Sequence, residues 1–177
     1  MSKQITDFKA KLKDNNITLY DANIENAIIK ILLYDSNSHG FIESIKSEYF
    51  KQKRNEIIFK VIHELYGKNL PIDIISVSHK LSKINKLDDV GGYYGLISID
   101  ENDYIYNESN FDTWVKIMYE LYVKRSVNSF SMSMYEKTLH PDIDAFELIE
   151  ETNKEILNLT SSLNNSKFDK IGDMLVQ

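Results

Sequence analysis

The chain has 177 residues, a length that suits one domain with an appended element, and 42% of them are hydrophobic, enough for a real core. Six glycines and two prolines are too few for the turns of an all-β fold, so an all-α fold with short loops is expected. A net charge of −6 argues against a phosphate-gripping surface, and zero cysteines exclude disulfides and thiolate metal sites.

The opening "MSKQITDFKAKLKDN" lacks the apolar stretch of a secretory signal, and no later run approaches the roughly 18 apolar residues that span a bilayer. A cytoplasmic protein without membrane contact is the expectation. Within an N-terminal extension, residues 1–20, Ile5, Phe8 and Leu12 recur at helical spacing until Asn15 and Asn16 break the pattern. "YDANIENAIIKILLYD" then predicts a strong helix. Asp21 or Asn23 caps it, and Ile24, Ala27, Ile28, Ile31 and Leu32 form one stripe. "FIESIK" reads as a short helix, and "SEYF" as a turn with an aromatic anchor at Phe50. The neighbouring basic patch, Lys46 to Arg54, is best read as a solvated loop and helix start.

"KRNEIIFKVIHELYGK" predicts a second strong helix. Ile58, Phe59, Ile62, Leu65 and Tyr66 face inward, and Gly67 is placed at a left-handed cap. In "NLPIDIISVSHKL", Pro71 turns the chain and keeps Leu70 extended, and Asp73 caps a helix running to about Ile84, where Asn85 ends it. "LDDVGGYYGLISI" puts Asp88 or Asp89 ahead of a short helix carrying Gly91 and Gly92. Two glycines in a helix cost roughly 1 kcal/mol each relative to alanine, which points to a tight turn or close backbone packing. The loop "DENDYIYNESN" gathers acidic side chains but lacks the glycine and terminal glutamate of a calcium loop. Residues 21–108 thus make a compact helical head.

From residue 109 to 163 the pattern predicts a long antiparallel helical hairpin. Its first helix carries Trp114, Ile117, Met118, Leu121 and Tyr122, continued by Phe130 and Met134. "LHPDID" breaks it, and Asp142 or Asp144 caps the second helix. There Phe146, Ile149, Asn153, Ile156, Thr160 and Leu163 sit at heptad steps, with Asn153 as a polar register-fixing member. Rods of about 30 to 40 Å outreach a small head, so part of their apolar surface needs a cover. The expected cover is a second copy of the chain. The expected interface residues are Trp114, Met118, Leu121, Phe130, Met134, Phe146, Ile149, Asn153, Ile156 and Leu163. Residues 164–177 read as a linker ("NNSKFDK") and the start of another helix ("IGDMLVQ"), which suggests a piece of something longer.

No catalytic constellation is legible. There is no phosphate loop, no HExxH and no GxSxG, and His39, His63, His79 and His140 are scattered. His63 and His79 are expected at helix surfaces. No catalytic, metal or cofactor-binding residue is assigned.

The order "NIENAIIKILLYD", Phe50 with "IIF" shortly after, "LPIDIISVSHKL", "LDDVGG-Y", and a long helix opening "NFDTW" and reaching Arg125 resembles the N-terminal domain of DnaB-family replicative DNA helicases. The likeness runs from about Ala22 to Leu163. Lys30 stands where the family usually has glycine, Lys51 where an aromatic is common, and Asn55 where histidine is common. These departures mark a divergent member, of the kind a phage or mobile element encodes.

The resemblance implies an all-α head plus hairpin that pairs subunits, as a dimer or a trimer of dimers, into the collar of a hexameric helicase. It also implies recruitment of primase or a helicase loader during DNA replication. ATP and magnesium would belong to a motor domain absent from this chain, so the chain alone is not expected to be an enzyme. The alternative is a stand-alone helicase-binding adaptor, loader or inhibitor, shaped like the helicase-binding domain of primases. Direct nucleic-acid binding, resting only on Lys46 to Arg54, ranks last.

Overall fold

The computed structural model describes residues 19–99 and 107–164, with side chains through residue 160. The expected N-terminal helix, the acidic loop around Asp100 and Asp103, and the linker after Asn164 lie outside the described residues. Every regular element among the described residues is helical.

Helix α1 (Ala22–Tyr34) starts because Asp21 supplies its missing acceptor: Oδ1 takes N–H bonds from Asn23 at 2.9 Å and Ile24 at 3.2 Å. Ala27, Ile28, Ile29, Ile31, Leu32 and Leu33 are all buried, so α1 is wrapped on nearly every side. Two 3₁₀ segments follow, Ser36–Ser44 and Ser47–Tyr49. The "FIESIK" helix is therefore a 3₁₀ run that delivers Ile42 and Ile45 to the core. Phe50 is buried as expected, and Tyr49 beside it more completely, at 1% exposed.

Helix α2 (Lys53–Gly67) has no side-chain cap of its own. Glu25, reaching from α1, accepts the N–H groups of Lys51 at 2.8 Å and Gln52 at 3.0 Å. A buried carboxylate is costly unless its charge is matched. Here the positive end of the helix dipole and two directed donors match it. Asn55, also buried, donates from Nδ2 to Asn26 Oδ1 at 2.9 Å, so α1 and α2 are joined by polar as well as apolar contacts. Gly67 is the last helical residue and is not left-handed; Asn69, with φ of 52°, takes that conformation. An asparagine tolerates it through local hydrogen bonding, and Leu70 N–H then reaches back to Leu65 O at 3.0 Å.

Pro71 lies exposed in the following loop, and α3 (Ile74–Lys83) starts at Asp73, whose Oδ1 accepts from Ser76 N at 2.8 Å. Val77 and Leu81 are fully buried, and Lys80 ties α3 to α2 through Glu64 at 2.6 Å. Asn85 ends the helix with φ of 53°.

A 3₁₀ turn, Asp88–Val90, precedes α4 (Gly92–Ile97). Gly91 and Gly92 form the turn between them, with φ of 85° and 68°, a region closed to most side chains. The tightest glycine is Gly95, where a Cβ would fall 2.2 Å from the Val90 carbonyl oxygen. Arg54 donates to the Gly95 carbonyl, fastening α4 to α2.

Helix α5 (Glu108–Thr138) is capped by Asn107 and runs 31 residues, about 46 Å at 1.5 Å per residue. Phe111, Val115, Met118 and Tyr119 complete the head core, Phe111 edge-on to Phe41 and Tyr119 edge-on to Tyr49. Past Tyr119 no described residue of α5 is buried. Helix α6 (Ala145–Asn164) returns antiparallel along the far half of α5. Asp144 Oδ1 caps it by accepting from Phe146 N at 2.7 Å.

Candidate protein–protein interface

The hairpin leaves the head at Arg125. Its guanidinium donates from Nη1 to Leu19 O at 2.7 Å and from Nη2 to Tyr49 O at 2.6 Å, and lies 6.0 Å from the Tyr122 ring centre. Tyr122 donates its hydroxyl to Glu48 Oε1 at 3.0 Å. Burial lowers the pKa of Arg125, but arginine's ordinary value is so high that the side chain stays charged. Burial, then the nearby Glu48, raises that of Tyr122, which stays a donor. Beside this junction an open cleft of about 680 Å³, with a mixed lining, is bounded by Phe50, Lys51, Tyr122, Arg125, Ser129 and Met132, among others.

Beyond the junction, among the described residues, α5 and α6 cover each other. Lys137 on α5 pairs with Glu151 on α6, Nζ to Oε2 at 2.5 Å. Phe130 and Met134 share the Lys137 side of α5 at steps of four and three, and both are half-buried. On α6 the residues shielded by this contact are Leu148, Glu151, Thr152, Glu155 and Leu159. The heptad seam is not among them. Phe146 is 80% exposed, Ile149 57%, Ile156 52% and the adjacent Leu157 67%; Asn153 and Thr160 are exposed too. At 100° per residue, that seam is rotated by roughly 100–130° from the stripe facing α5. The second helix of the hairpin thus turns a mixed stripe, Leu148 and Leu159 among Glu151, Thr152 and Glu155, toward α5, and among the described residues nothing covers its apolar seam.

The expected interface residues therefore separate. Met118 is a correction: at 2% exposed it is sealed in the head core, because the first turns of α5 close that core. Trp114 packs partly buried against the same cluster, and Leu121 is half-buried nearby. Phe130 and Met134 lie on the side turned to α6. Phe146, Ile149, Asn153 and Ile156 remain open, and the side chain of Leu163 lies outside the described residues. Leu157, also open, was not in the expected set; it sits one position off the heptad step, and only its measured exposure brings it in.

His63 and His79 are exposed, as expected. No group of three histidine, aspartate or glutamate side chains that could hold a metal occurs among the described residues, nor any helix long and apolar enough to cross a membrane. Glu25 gave no signal in the sequence, and Arg125 entered there only as the end point of the family-like pattern, with no role attached. One sits inside an apolar stripe and the other in a run of charged residues, and only the packed chain shows what each one holds.

The described residues thus form an all-helical head extended by a two-helix hairpin with one apolar stripe uncovered. Residues 17–120 match the family described as the DnaB-like helicase N terminal domain, and the chain belongs to that family. The fold agrees: the crystal structure of the N-terminal domain of DnaB helicase from Mycobacterium tuberculosis superposes with a TM-score of 0.71 at 17% identity, over 80% of this chain and 99% of that one. Among curated relatives, a probable replicative DNA helicase of Trieres chinensis is 24% identical over 86% of this chain and 33% of its own length. The replicative DNA helicase DnaC of Bacillus subtilis is 23% identical over 72% of this chain and 28% of its own. The chain spans about a third or less of the length of these relatives.

Proposed function

We infer that this chain is the collar domain of a hexameric replicative DNA helicase. It self-associates through the hairpin and serves as the recruitment platform for primase or a loader, while a motor domain outside this chain binds ATP and magnesium. The observation that carries the reading is the exposed stripe on α6. Four large apolar side chains, from 52% to 80% exposed, line one face of a helix whose other face is already satisfied. Such a patch, rimmed by charged residues, is what an interaction surface looks like before its partner arrives.

The test is light scattering across a wide concentration range, on the chain as given and on the double variant Phe146→Asp, Ile149→Asp. Self-association of the parent chain, weakened at least about tenfold in the variant by burying unpaired charge, is the expected outcome. A parent chain that stays monomeric throughout, or a variant that associates equally well, overturns the reading.

A further inference from the structure

Charge is unevenly spread along the chain. Residues 46–86 hold nine lysine or arginine residues against four aspartate or glutamate residues, a net of +5 in a chain whose total is −6. Within that span α2 and the end of α3 bound an open cleft of about 570 Å³, whose exposed lining is mostly apolar. Its apolar members are Val61, nearly sealed at 2% exposed, Ile57, half-buried, and Ile84, 43% exposed. Lys53, Lys60 and Lys86 stand around them in the open, beside Glu64 and Asp89. We propose that this cleft receives an acidic amphipathic helix of a partner protein. This rests on the reading of the chain as a recruitment platform, and gives that role a place on the head and a partner chemistry.

Two observations carry it. The first is shape. Lys53, Ile57, Lys60, Val61 and Glu64 recur at steps of three and four, so they share one face of α2 over about 16 Å. Ile84 and Lys86 close the far side. A trough of that length accepts about three turns of another helix, whose apolar side chains at i, i+3 or i+4, and i+7 would meet Ile57, Val61 and Ile84.

The second is the imbalance of charge around the cleft. Glu56 is shared by Lys53 at 2.9 Å and Lys60 at 2.5 Å, and Glu64 by Lys68 at 2.5 Å and Lys80 at 2.6 Å. Asp89 pairs with Lys86 at 2.7 Å. Five lysines thus divide three carboxylates, and Lys83, exposed beside Ile84, makes no ion pair among the described residues. Exposed pairs of this kind contribute little, so carboxylates brought by a partner can take over these lysines at small cost. Phosphates would also answer the charge. A nucleic-acid backbone, however, has no apolar face to set on Ile57, Val61 and Ile84, and the three carboxylates would repel it.

The test uses the whole chain and a fluorescent peptide of about a dozen residues, with leucine at i, i+3 and i+7 and glutamate on the flanks. Binding is read by fluorescence anisotropy. The expected result is saturable binding, at least about tenfold tighter than for a peptide of the same composition in scrambled order, and about tenfold weaker in the double variant Lys60→Glu, Lys86→Glu. Ile84→Ser should weaken it about fivefold, whereas Lys124→Glu, on α5, should leave it unchanged. All four positions are exposed, so each variant should keep the circular dichroism of the parent chain. No saturable binding, equal binding of the scrambled peptide, or tighter binding of a DNA oligonucleotide that the double variant loses would each overturn the proposal.

Light scattering separates this surface from the hairpin. The double variant Lys60→Glu, Lys86→Glu should self-associate as the parent chain does. If it stayed monomeric while the parent associated, the cleft would belong to a second copy, and the partner helix would be ruled out. Loss of peptide binding with self-association intact would remove the cleft and leave the hairpin reading in place; a monomeric parent that binds the peptide would do the reverse.

Discussion

Head and hairpin are built from the same kind of helix but close their surfaces in different ways. In the head, α1 is buried on nearly all sides, and its neighbours α2, the 3₁₀ segments and the first turns of α5 each contribute one apolar face. The hairpin has only two helices, each able to cover one side of the other. The apolar seam of α6, on a side that α5 does not reach, is left exposed among the described residues. What the difference teaches is that periodicity marks which side chains want cover, while the number of neighbours decides whether they get it within the chain.

The strongest test of this contrast is in the head. Phe59, 1% exposed and stacked near Phe50 with ring centres 5.2 Å apart, should cost about 3–5 kcal/mol when changed to alanine. Denaturant unfolding followed by circular dichroism would measure it. A loss under about 1 kcal/mol would mean the core is looser than its burial suggests.

Glu25 comes next. Changing it to alanine removes the acceptor for two part-buried N–H groups at the start of α2 and leaves a void where the buried Glu25 side chain was. The expected cost is about 2–3 kcal/mol, with faster amide exchange at Lys51 and Gln52. Glutamine, which keeps one good acceptor, should recover part of it.

The hairpin should respond in the opposite sense. Ile149→Asp is expected to change protomer stability by less than about 0.5 kcal/mol, because the side chain is already largely in water. Melting measured at a concentration where the chain is monomeric would show this. A large loss there would mean that α6 is covered within the protomer after all, and the contrast between the two regions would disappear.

The smallest effect is on the surface of the head. Glu56 has its pKa held below the ordinary carboxylate range by hydrogen bonds from Lys60, then from Lys53. A depressed value means that the ionised form is favoured by folding. Its contribution is present above the unfolded value of about 4.3 and fades as pH falls through the lower folded value. For exposed pairs this is a few tenths of a kcal/mol. Glu56→Gln should therefore flatten the acid limb of the stability profile slightly, without moving the plateau by more than about 0.5 kcal/mol.

Much of the head was legible because local rules and the fold agree there. The caps at Asp21 and Asp73, the inward set Ile58, Phe59, Ile62 and Leu65, and the Gly91–Gly92 turn all follow from short-range chemistry. The misreadings arose where a residue's role depends on something distant in sequence. Gly67 suited a left-handed cap, yet the helix continued through it and Asn69 took the position. Gly95 carried no reading in the sequence, and its need for glycine comes from a close approach to the Val90 carbonyl. Met118 shares the apolar face of the hairpin helix, but that helix enters the head before it leaves it, so its first turns belong to another core.

The sequence by itself determined the helices, most of their caps, the order of head and hairpin, and the apolar seam on the last helix, because these depend on spacing and on chemistry within a few residues. Only the tertiary structure decided which stripe turns toward α5 and which is left open, and which charged side chains, Glu25 and Arg125, hold backbone groups across 26 to 106 positions of chain. The reason is that a helix repeats every 3.6 residues whatever lies beside it, whereas burial is a property of neighbours that the repeat does not name.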